Sequence, residues 1–177
     1  MMHKSNVWLV CCLVLFTVAP VAAQDHTMSI GIGYQFAKFN DVSFPVGASI
    51  DFEDRVVQQI ALVGEVGWAR NSRQQFGLND ITTHFHSAGG VRWVIRPRSR
   101  FEPFVQVLIG SERENINIEK FGSDSASAFL FQPGGGLIVH IHGRENVFGQ
   151  VDLHRAAHGD ESMNAARFVV GLRFEIR

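Results

Sequence analysis

The sequence predicts an all-β protein, an eight-stranded antiparallel up-and-down transmembrane β-barrel. Three observations lead to this prediction: an N-terminal segment typical of a secretory signal, apolar residues that alternate with polar ones, and connections that alternate between long and short. The length of 177 residues is that of one ordinary domain. The formal net charge of −1 argues against nucleic acid as a partner, because nucleic-acid-binding proteins usually have a strong basic excess.

Residues 1–23 have the features of a signal peptide. Lys4 supplies a positive charge, residues 7–18 are apolar, and small residues that end at Ala23 offer a cleavage site. The apolar run is shorter than the ~20 residues that a membrane-spanning helix needs. We therefore predict cleavage after Ala23 and a single barrel domain over residues 24–177.

Both cysteines, Cys11 and Cys12, lie within the predicted signal peptide. A lipoprotein signal is the alternative, but neither cysteine follows the Gly, Ala or Ser that such a signal requires. The predicted mature domain therefore contains no disulfide and no cysteine nucleophile or thiolate ligand.

Alternation with a period of two residues predicts eight strands, each with one apolar face. In the first strand, Met28, Ile30 and Ile32 lie on one face, and Gly31 and Gly33 lie on the other. The predicted strands cover residues 28–37, 46–52, 60–69, 81–95, 104–110, 128–142, 147–155 and 166–176.

The connections between these strands alternate strictly in length. The long ones are 38–45, 71–80, 112–127 and 156–163, and the short ones are 53–56, 96–100 and 143–146. In an up-and-down barrel all long connections then lie at one end, as in outer-membrane barrels with long extracellular loops and short periplasmic turns. Because the number of strands is even, both termini are expected at the end with the short turns.

We predict that the apolar face points outward to lipid. The alternative is a soluble lipocalin-like barrel, which is apolar inside. The other face is rich in glycine and carries charges of both signs, whereas lysine occurs after residue 23 only at Lys38 and Lys120. In a narrow lumen such charges must pair. The predicted lumen charge network consists of Glu65, Arg92, Asp152, Arg167 and Arg173.

Aromatic residues on the apolar face lie near the strand ends, which predicts the two aromatic girdles of a membrane barrel. The predicted girdle comprises Tyr34, Phe36, Trp68 and Phe129 toward the long connections, and Trp93 and Phe174 toward the short turns.

The sequence resembles known proteins in its signal-like start, its alternation and three segments: GEVGW at 64–68, FVQVLIG at 104–110 and RFVVGLRFEIR at 167–177. These features are similar to those of small outer-membrane barrels of the OmpA/OmpX type, the outer membrane protein beta-barrel domain family. The resemblance implies the outer membrane of a diderm bacterium, with its lipid and lipopolysaccharide and the barrel assembly machinery as partners. The chain departs from the family in ending with Ile176-Arg177, because that machinery usually reads a terminal Phe, and here Phe174 lies two places inside.

Two pairs of histidines have metal-like spacing, His84 with His86 and His140 with His142. Under the predicted topology the pairs lie at opposite ends of the barrel, and each offers fewer ligands than zinc usually takes. We predict no metal site and no cofactor.

A second candidate for chemistry is a group of Ser, His and carboxylate residues: His154, His158, Asp160, Glu161 and Ser162. Barrels similar to this one include lipid A deacylases and palmitoyltransferases. The deacylases have a His and a Ser two residues apart on one strand, and the segment His154-Arg155-Ala156 lacks that serine. We predict that the protein is not an enzyme and has no catalytic residues.

The expected function is a structural or surface-interaction role, in which a monomeric barrel displays four extracellular loops. The alternatives are a narrow, porin-like passive channel for small solutes and a lipid-modifying membrane enzyme. Residues 112–127 are expected to be the principal contact surface, solvated and mobile, because their composition cannot bury a core. Ile116 and Ile118 predict that the flanking strands extend beyond the membrane as a hairpin.

Overall fold

The computed structural model describes residues 27–39, 42–75, 78–118, 122–158 and 161–176. No helix long and apolar enough to cross a membrane occurs within these ranges. The strands are β1 (Thr27–Phe39), β2 (Val42–Phe44), β3 (Val46–Val57), β4 (Ile60–Gln75), β5 (Leu78–Val94), β6 (Phe101–Ile118), β7 (Gly122–His142), β8 (Glu145–His158) and β9 (Glu161–Ile176).

The sheet closes on itself because β1 pairs with β3 on one side and with β9 on the other, and every pairing is antiparallel. We call the end of the barrel with the short turns the lower end and the opposite end the upper end. The short strand β2 pairs with the upper part of β1, where Phe44 lies opposite Ala37. Strands β2 and β3 therefore form one side of the barrel, interrupted at Pro45, whose ring removes a backbone donor. The predicted fold class, an eight-stranded up-and-down barrel, is confirmed.

The strands are staggered around the barrel. The stagger is seen by starting at Thr27 on β1 and moving each time to the residue paired with it on the next strand. This path passes through Arg55, Ala61, Arg92, Gln106, Gly134, Asp152 and Arg167 and returns to β1 at Ala37. One circuit therefore returns to β1 ten residues further along, which requires tilted strands. For a tilt of ~40°, each residue rises about 2.5 Å along the barrel axis, and each step to the next strand rises about 3 Å.

The apolar residues face outward, as predicted. Ile32, Trp93 and Leu172 are 52%, 54% and 50% exposed, whereas charged residues on the opposite face are buried. The outward apolar residues form a band about 25 Å high, the height typical of membrane barrels. We define the membrane-spanning segments by this apolar band: 28–36, 46–52, 60–68, 85–95, 101–109, 129–141, 147–153 and 168–176.

The prediction of four long loops is wrong for most of the residues concerned, because the strands continue through them. Strands β4 and β5 pair up to Gln75 and Leu78, and β6 and β7 pair up to Ile118 and Gly122. Likewise, β1 extends to Phe39, and β8 and β9 extend to His158 and Glu161. The predicted extension of the strands around Ile116 and Ile118 is confirmed. The residues between these strand ends lie outside the described ranges.

One short turn is also displaced. Residues 53–56 were predicted as a turn but belong to β3, and the turn is formed by Gln58 and Gln59. Residues 96–100 connect β5 and β6, as predicted. At the third turn, Gly143 adopts a φ of 60°, which suits glycine, and β8 already begins at Glu145. The ends of the described chain, Thr27 and Ile176, lie at this end of the barrel, where Met28 pairs with Ile176.

Candidate functional site

Arg167 is the centre of a polar network inside the barrel. Its side chain is 1% exposed and lies 2.7 Å from Glu65 Oε1 and 2.7 Å from Asp152 Oδ2. The same guanidinium donates to Gln35 Oε1 at 3.3 Å, and its Nη1 lies 3.0 Å from His86 Nε2. A single residue of β9 therefore links β1, β4, β5 and β8 across the lumen.

A second group of ion pairs lies closer to the short turns. Arg92 and Arg173 each place a guanidinium nitrogen 2.5 Å from Glu53 Oε2. Arg173 also pairs with Asp51, and Arg55 lies 3.2 Å from Glu53 Oε1. Glu53 is therefore shared by three arginines on three different strands.

Glutamine side chains connect the two groups. Gln106 Oε1 accepts hydrogen bonds from Arg92 at 3.0 and 2.7 Å, while its Nε2 donates to Asp152 Oδ1 at 3.1 Å. Gln150 Nε2 donates to Glu65 at 3.2 Å and to Asp152 at 3.0 Å. The charges thus form one continuous network, in which cations and anions alternate.

The network has one more carboxylate than guanidinium groups. It joins five carboxylates to four guanidinium groups: Asp51, Glu53, Glu65, Glu102 and Asp152, and Arg55, Arg92, Arg167 and Arg173. Desolvation of such groups is costly, so removal of one partner leaves an uncompensated buried charge at a cost of about 3–5 kcal/mol. We call these nine residues and their linking glutamines the lumen network.

Two apolar clusters pack in the lumen beside the polar groups. The larger cluster consists of Val94, Phe104, Ile138, Phe148 and Val169. The smaller cluster, at the end of the barrel away from the short turns, consists of Ala37, Phe44, Ala69 and Ala165. The guanidinium of Arg92 lies over the Phe104 ring, 4.2 Å from its centroid, so the larger cluster contacts the charges directly. Polar and apolar side chains therefore pack against one another in the described part of the lumen.

Above the lumen network, Glu112 bridges two histidines from neighbouring parts of the wall. Its Oε1 lies 2.6 Å from His84 Nδ1, and its Oε2 lies 2.9 Å from His154 Nε2. His84 Nε2 is also 3.3 Å from Glu114 Oε1. The His154 ring meets the His86 ring edge-on, with centroids 5.3 Å apart, so this group touches the lumen network. We call Glu112, His84 and His154 the upper bridge.

His84, Glu112 and His154 lie beyond the apolar segments of their own strands, which end at Phe85, Ile109 and Leu153, and so lie outside the membrane-spanning segments. Burial acts to lower the pKa of His84, but hydrogen bonds to Glu112 and Glu114 outweigh it and raise that pKa to about 9. Burial acts to raise the pKa of Glu112, but hydrogen bonds from His154 and His84 outweigh it and lower that pKa to about 2. His84 and Glu112 therefore form an ion pair at neutral pH.

The structure brings together all five residues of the sequence-predicted charge network: Glu65, Arg92, Asp152, Arg167 and Arg173. It adds Glu53, which sequence reasoning assigned to a turn, and Glu112, which it assigned to a solvated loop. Both are buried, at 2% and 4% exposed. A signal for Glu53 was present, because the alternation that puts Phe52 outward puts Glu53 inward.

The two histidine pairs lie at opposite ends of the barrel, as the topology predicted. His84 and His86 are buried in the upper lumen, whereas His140 is near the short turns, 3.4 Å from Glu102. The side chain of His142 lies outside the described part. Among the described residues, no group of three or more His, Cys, Asp or Glu side chains has an arrangement that would hold a metal ion.

Of the residues considered for hydrolase chemistry, only His154 has a described side chain. It faces the lumen and contacts Glu112. The side chains of His158, Glu161 and Ser162, and the whole of Asp160, lie outside the described part.

The six aromatic residues of the predicted girdle lie on the outward face. Those exposed by more than a third are Tyr34, Trp68, Trp93, Phe129 and Phe174. Phe36 is partly covered by Phe168, with ring centroids 6.4 Å apart. The Tyr34 hydroxyl donates to the Pro45 carbonyl and so fixes the break between β2 and β3.

The closed fold, with its polar lumen and apolar exterior, defines a small β-barrel of the outer-membrane type. No protein-family model and no curated protein matches the sequence. Solved structures do match. Ail, the attachment invasion locus protein of Yersinia pestis, is 15% identical with a TM-score of 0.60, and the match covers 85% of this chain and 97% of that one.

Two further structures extend the comparison. Neisserial surface protein A (NspA) has a TM-score of 0.67 at 7% identity, with 85% of this chain and 97% of that one covered. The outer membrane protein OprG from Pseudomonas aeruginosa has a TM-score of 0.55 at 8% identity, with 86% and 96% covered. The predicted resemblance to small outer-membrane barrels is confirmed at the level of the fold, and the predicted outer-membrane localisation agrees with it.

Proposed function

We propose that the protein is an outer-membrane barrel of a diderm bacterium with a structural or surface-interaction role, and that it conducts no solute. The observation that carries this proposal is the lumen network. Arg167 contacts Glu65 and Asp152 at 2.7 Å each, and two apolar clusters pack beside the polar groups. A channel needs a water-filled path, whereas these side chains contact one another across the lumen.

The part available for surface interaction is the extended hairpin of β6 and β7. Above the apolar band, the two strands remain paired from Glu112 opposite Ala128 to Ile118 opposite Gly122. Arg113, Ser125 and Ser127 are exposed there. A paired hairpin presents a more ordered surface than the mobile loop that the composition suggested, because its backbone groups are held by the ladder.

The partners that belong to this proposal are the lipid and lipopolysaccharide of the outer membrane and the barrel assembly machinery. That machinery would act on β9, which closes the barrel against β1 over twelve paired residues, from Met28 opposite Ile176 to Phe39 opposite Ala165. We further propose that the barrel is a monomer, binds no nucleic acid and catalyses no reaction.

Planar-bilayer conductance of the purified barrel tests the closed lumen. We expect no steady conductance from the wild type. The variants to compare are Glu65→Gln, which changes the lumen network, and Val66→Ala, the adjacent outward position on β4. Steady openings in the wild type that Glu65→Gln alters and Val66→Ala does not would contradict the proposal and favour the narrow channel.

A further inference from the structure

Four outward side chains at the upper edge of the apolar band are cationic, and all four are exposed. Each follows the last large apolar outward residue of its strand by two or four positions. They are Lys38 on β1 after Phe36, Arg70 on β4 after Trp68, Arg113 on β6 after Ile109, and Arg155 on β8 after Leu153. We call these four residues the cationic collar.

The four residues of the cationic collar lie at one level. The pairing registers, combined with rises of about 2.5 Å per residue and about 3 Å per strand, place them within about 4 Å of one another along the barrel axis. They lie on alternate strands around the barrel, so neighbouring collar residues are separated by about 12 Å around the circumference. The charges therefore surround the barrel instead of forming one compact patch.

The collar has no anionic partner within the described part of the protein. The ion pairs among the described residues all involve inward-facing side chains, and none includes a collar residue. Arg113 donates one hydrogen bond to Ser125 Oγ at 3.4 Å. Among outward side chains that the structure describes, the carboxylates are Asp54 and Glu145, and both lie near the short turns.

We propose that the cationic collar binds the phosphate groups of anionic lipid headgroups in the outer leaflet. This inference rests on the proposed placement in the outer membrane. Cationic side chains at a membrane boundary are each worth about 1 kcal/mol against an anionic surface. Arginine, three of the four residues, presents a planar fork that matches phosphate oxygens. The aliphatic stems can lie along the band while the charged heads reach the headgroups.

The arrangement favours lipid over a single globular partner. The four residues face laterally, on different sides of the wall, and no one partner of ordinary size would contact all of them from above. A ring of lipids around the barrel contacts every side at the same height. The collar lies at the upper edge of the apolar band, where Arg113 is opposite Phe85, and this edge meets the headgroup layer.

Binding of lipid A to the folded barrel in a neutral detergent tests this proposal. Native mass spectrometry would count bound molecules of lipid A with both phosphates and of lipid A from which the phosphates have been removed. The collar variant combines Lys38→Gln, Arg70→Gln, Arg113→Gln and Arg155→Gln. The matched control makes the same change in charge at the short turns, with Arg96→Gln, Arg98→Gln, Arg100→Gln and Arg144→Gln, all exposed positions.

We expect the wild type to prefer phosphorylated lipid A, and the collar variant to bind it at least about tenfold more weakly. The control variant should keep most of the affinity. Addition of inorganic phosphate should not compete, because the ligand is a headgroup held in an apolar layer. Equal binding of both forms of lipid A, equal loss in both variants, or displacement by inorganic phosphate would overturn the proposal.

Heat-modifiable gel migration establishes that each variant is folded. If the fourfold variant does not fold, the two double variants Lys38→Gln/Arg113→Gln and Arg70→Gln/Arg155→Gln replace it, and each should show part of the loss. The lipid measurement is independent of conductance. A barrel that conducts would contradict the proposed function alone. A barrel that binds both forms of lipid A equally would contradict the proposed role of the cationic collar alone.

Discussion

At the scale of single residues, the upper bridge makes stability depend on pH. The pKa of His84 is raised from 6.5 to about 9. Its contribution to the free energy of unfolding is therefore complete below pH 6.5 and is lost as the pH rises through 9. The pKa of Glu112 is lowered from 4.5 to about 2, so its contribution is complete above pH 4.5 and is lost as the pH falls through 2. Both contributions are complete only between pH 4.5 and 6.5.

We therefore predict that the free energy of unfolding of the barrel falls between pH 6.5 and pH 9. Urea unfolding in lipid vesicles would measure it for the wild type and for His84→Gln. The substitution removes the titrating group while every other ionisable residue stays, so the difference between the two curves isolates His84. A fall of equal size in both proteins would show that His84 does not sense pH in this range.

At the scale of the strand, β4 presents two glycines with opposite surroundings. Gly67 faces the lumen, where an added Cβ would overlap the His86 ring and lie 2.9 Å from Gln35 Oε1. Gly64 faces outward and has nothing within 4 Å. Alanine reduces backbone freedom equally at both positions. Overpacking adds a cost of about 1–3 kcal/mol only where the neighbour has no room to move.

We predict that Gly67→Ala lowers the free energy of unfolding by about 1–3 kcal/mol, because His86 is held by Glu65 and Arg167. Gly64→Ala should leave it unchanged or raise it slightly. Equilibrium unfolding of the two variants side by side is the measurement. Equal effects would mean that the upper lumen has more free space than the structure shows.

The same strands show what a sequence predicts and what it does not. Alternation fixes which face each residue takes, because consecutive strand residues must point to opposite sides, and this holds for the described side chains of the strands outside the register shifts at Arg55/Val57 and His140/His142. Strand ends were misjudged where charged residues suggested a turn or loop. At Glu53 and Glu112 the charge faces the lumen, so a polar residue did not mark the end of the strand.

The partners of each buried charge were beyond sequence reasoning. Arg167 and Glu65 are 102 positions apart, and their contact depends on the stagger of ten residues around the barrel. A shift of two residues in any one register would keep the same faces and change the partners. The pattern therefore predicts that charges face inward, while the registers decide which of them meet.

At the scale of the whole molecule, the barrel is polar inside and apolar outside, which reverses the arrangement of a soluble domain. Closure pairs the backbone groups of every barrel strand with a neighbour, which a lipid environment requires. The interior charges are paired with one another, and the described outward side chains within the apolar band carry no charge. One arrangement of strands thus accounts for the apolar band, the lumen network and the cationic collar.

Cysteine labelling at two adjacent positions of β3 tests this account most directly. Ala48 faces outward in the apolar band, whereas Ser49 faces the lumen and is 4% exposed. The chain has no cysteine after residue 23, so Ala48→Cys and Ser49→Cys would each carry a single thiol in the barrel from Gln24 onward. The reagents are a water-soluble maleimide and a lipid-soluble maleimide, applied to the folded protein in vesicles.

We predict that Ala48→Cys reacts only with the lipid-soluble reagent and that Ser49→Cys reacts with neither until the protein is unfolded. Reaction of Ser49→Cys with the water-soluble reagent would show a water-filled lumen and favour a channel. Reaction of Ala48→Cys with the water-soluble reagent would show that the apolar face is not in lipid, and would contradict the account as a whole.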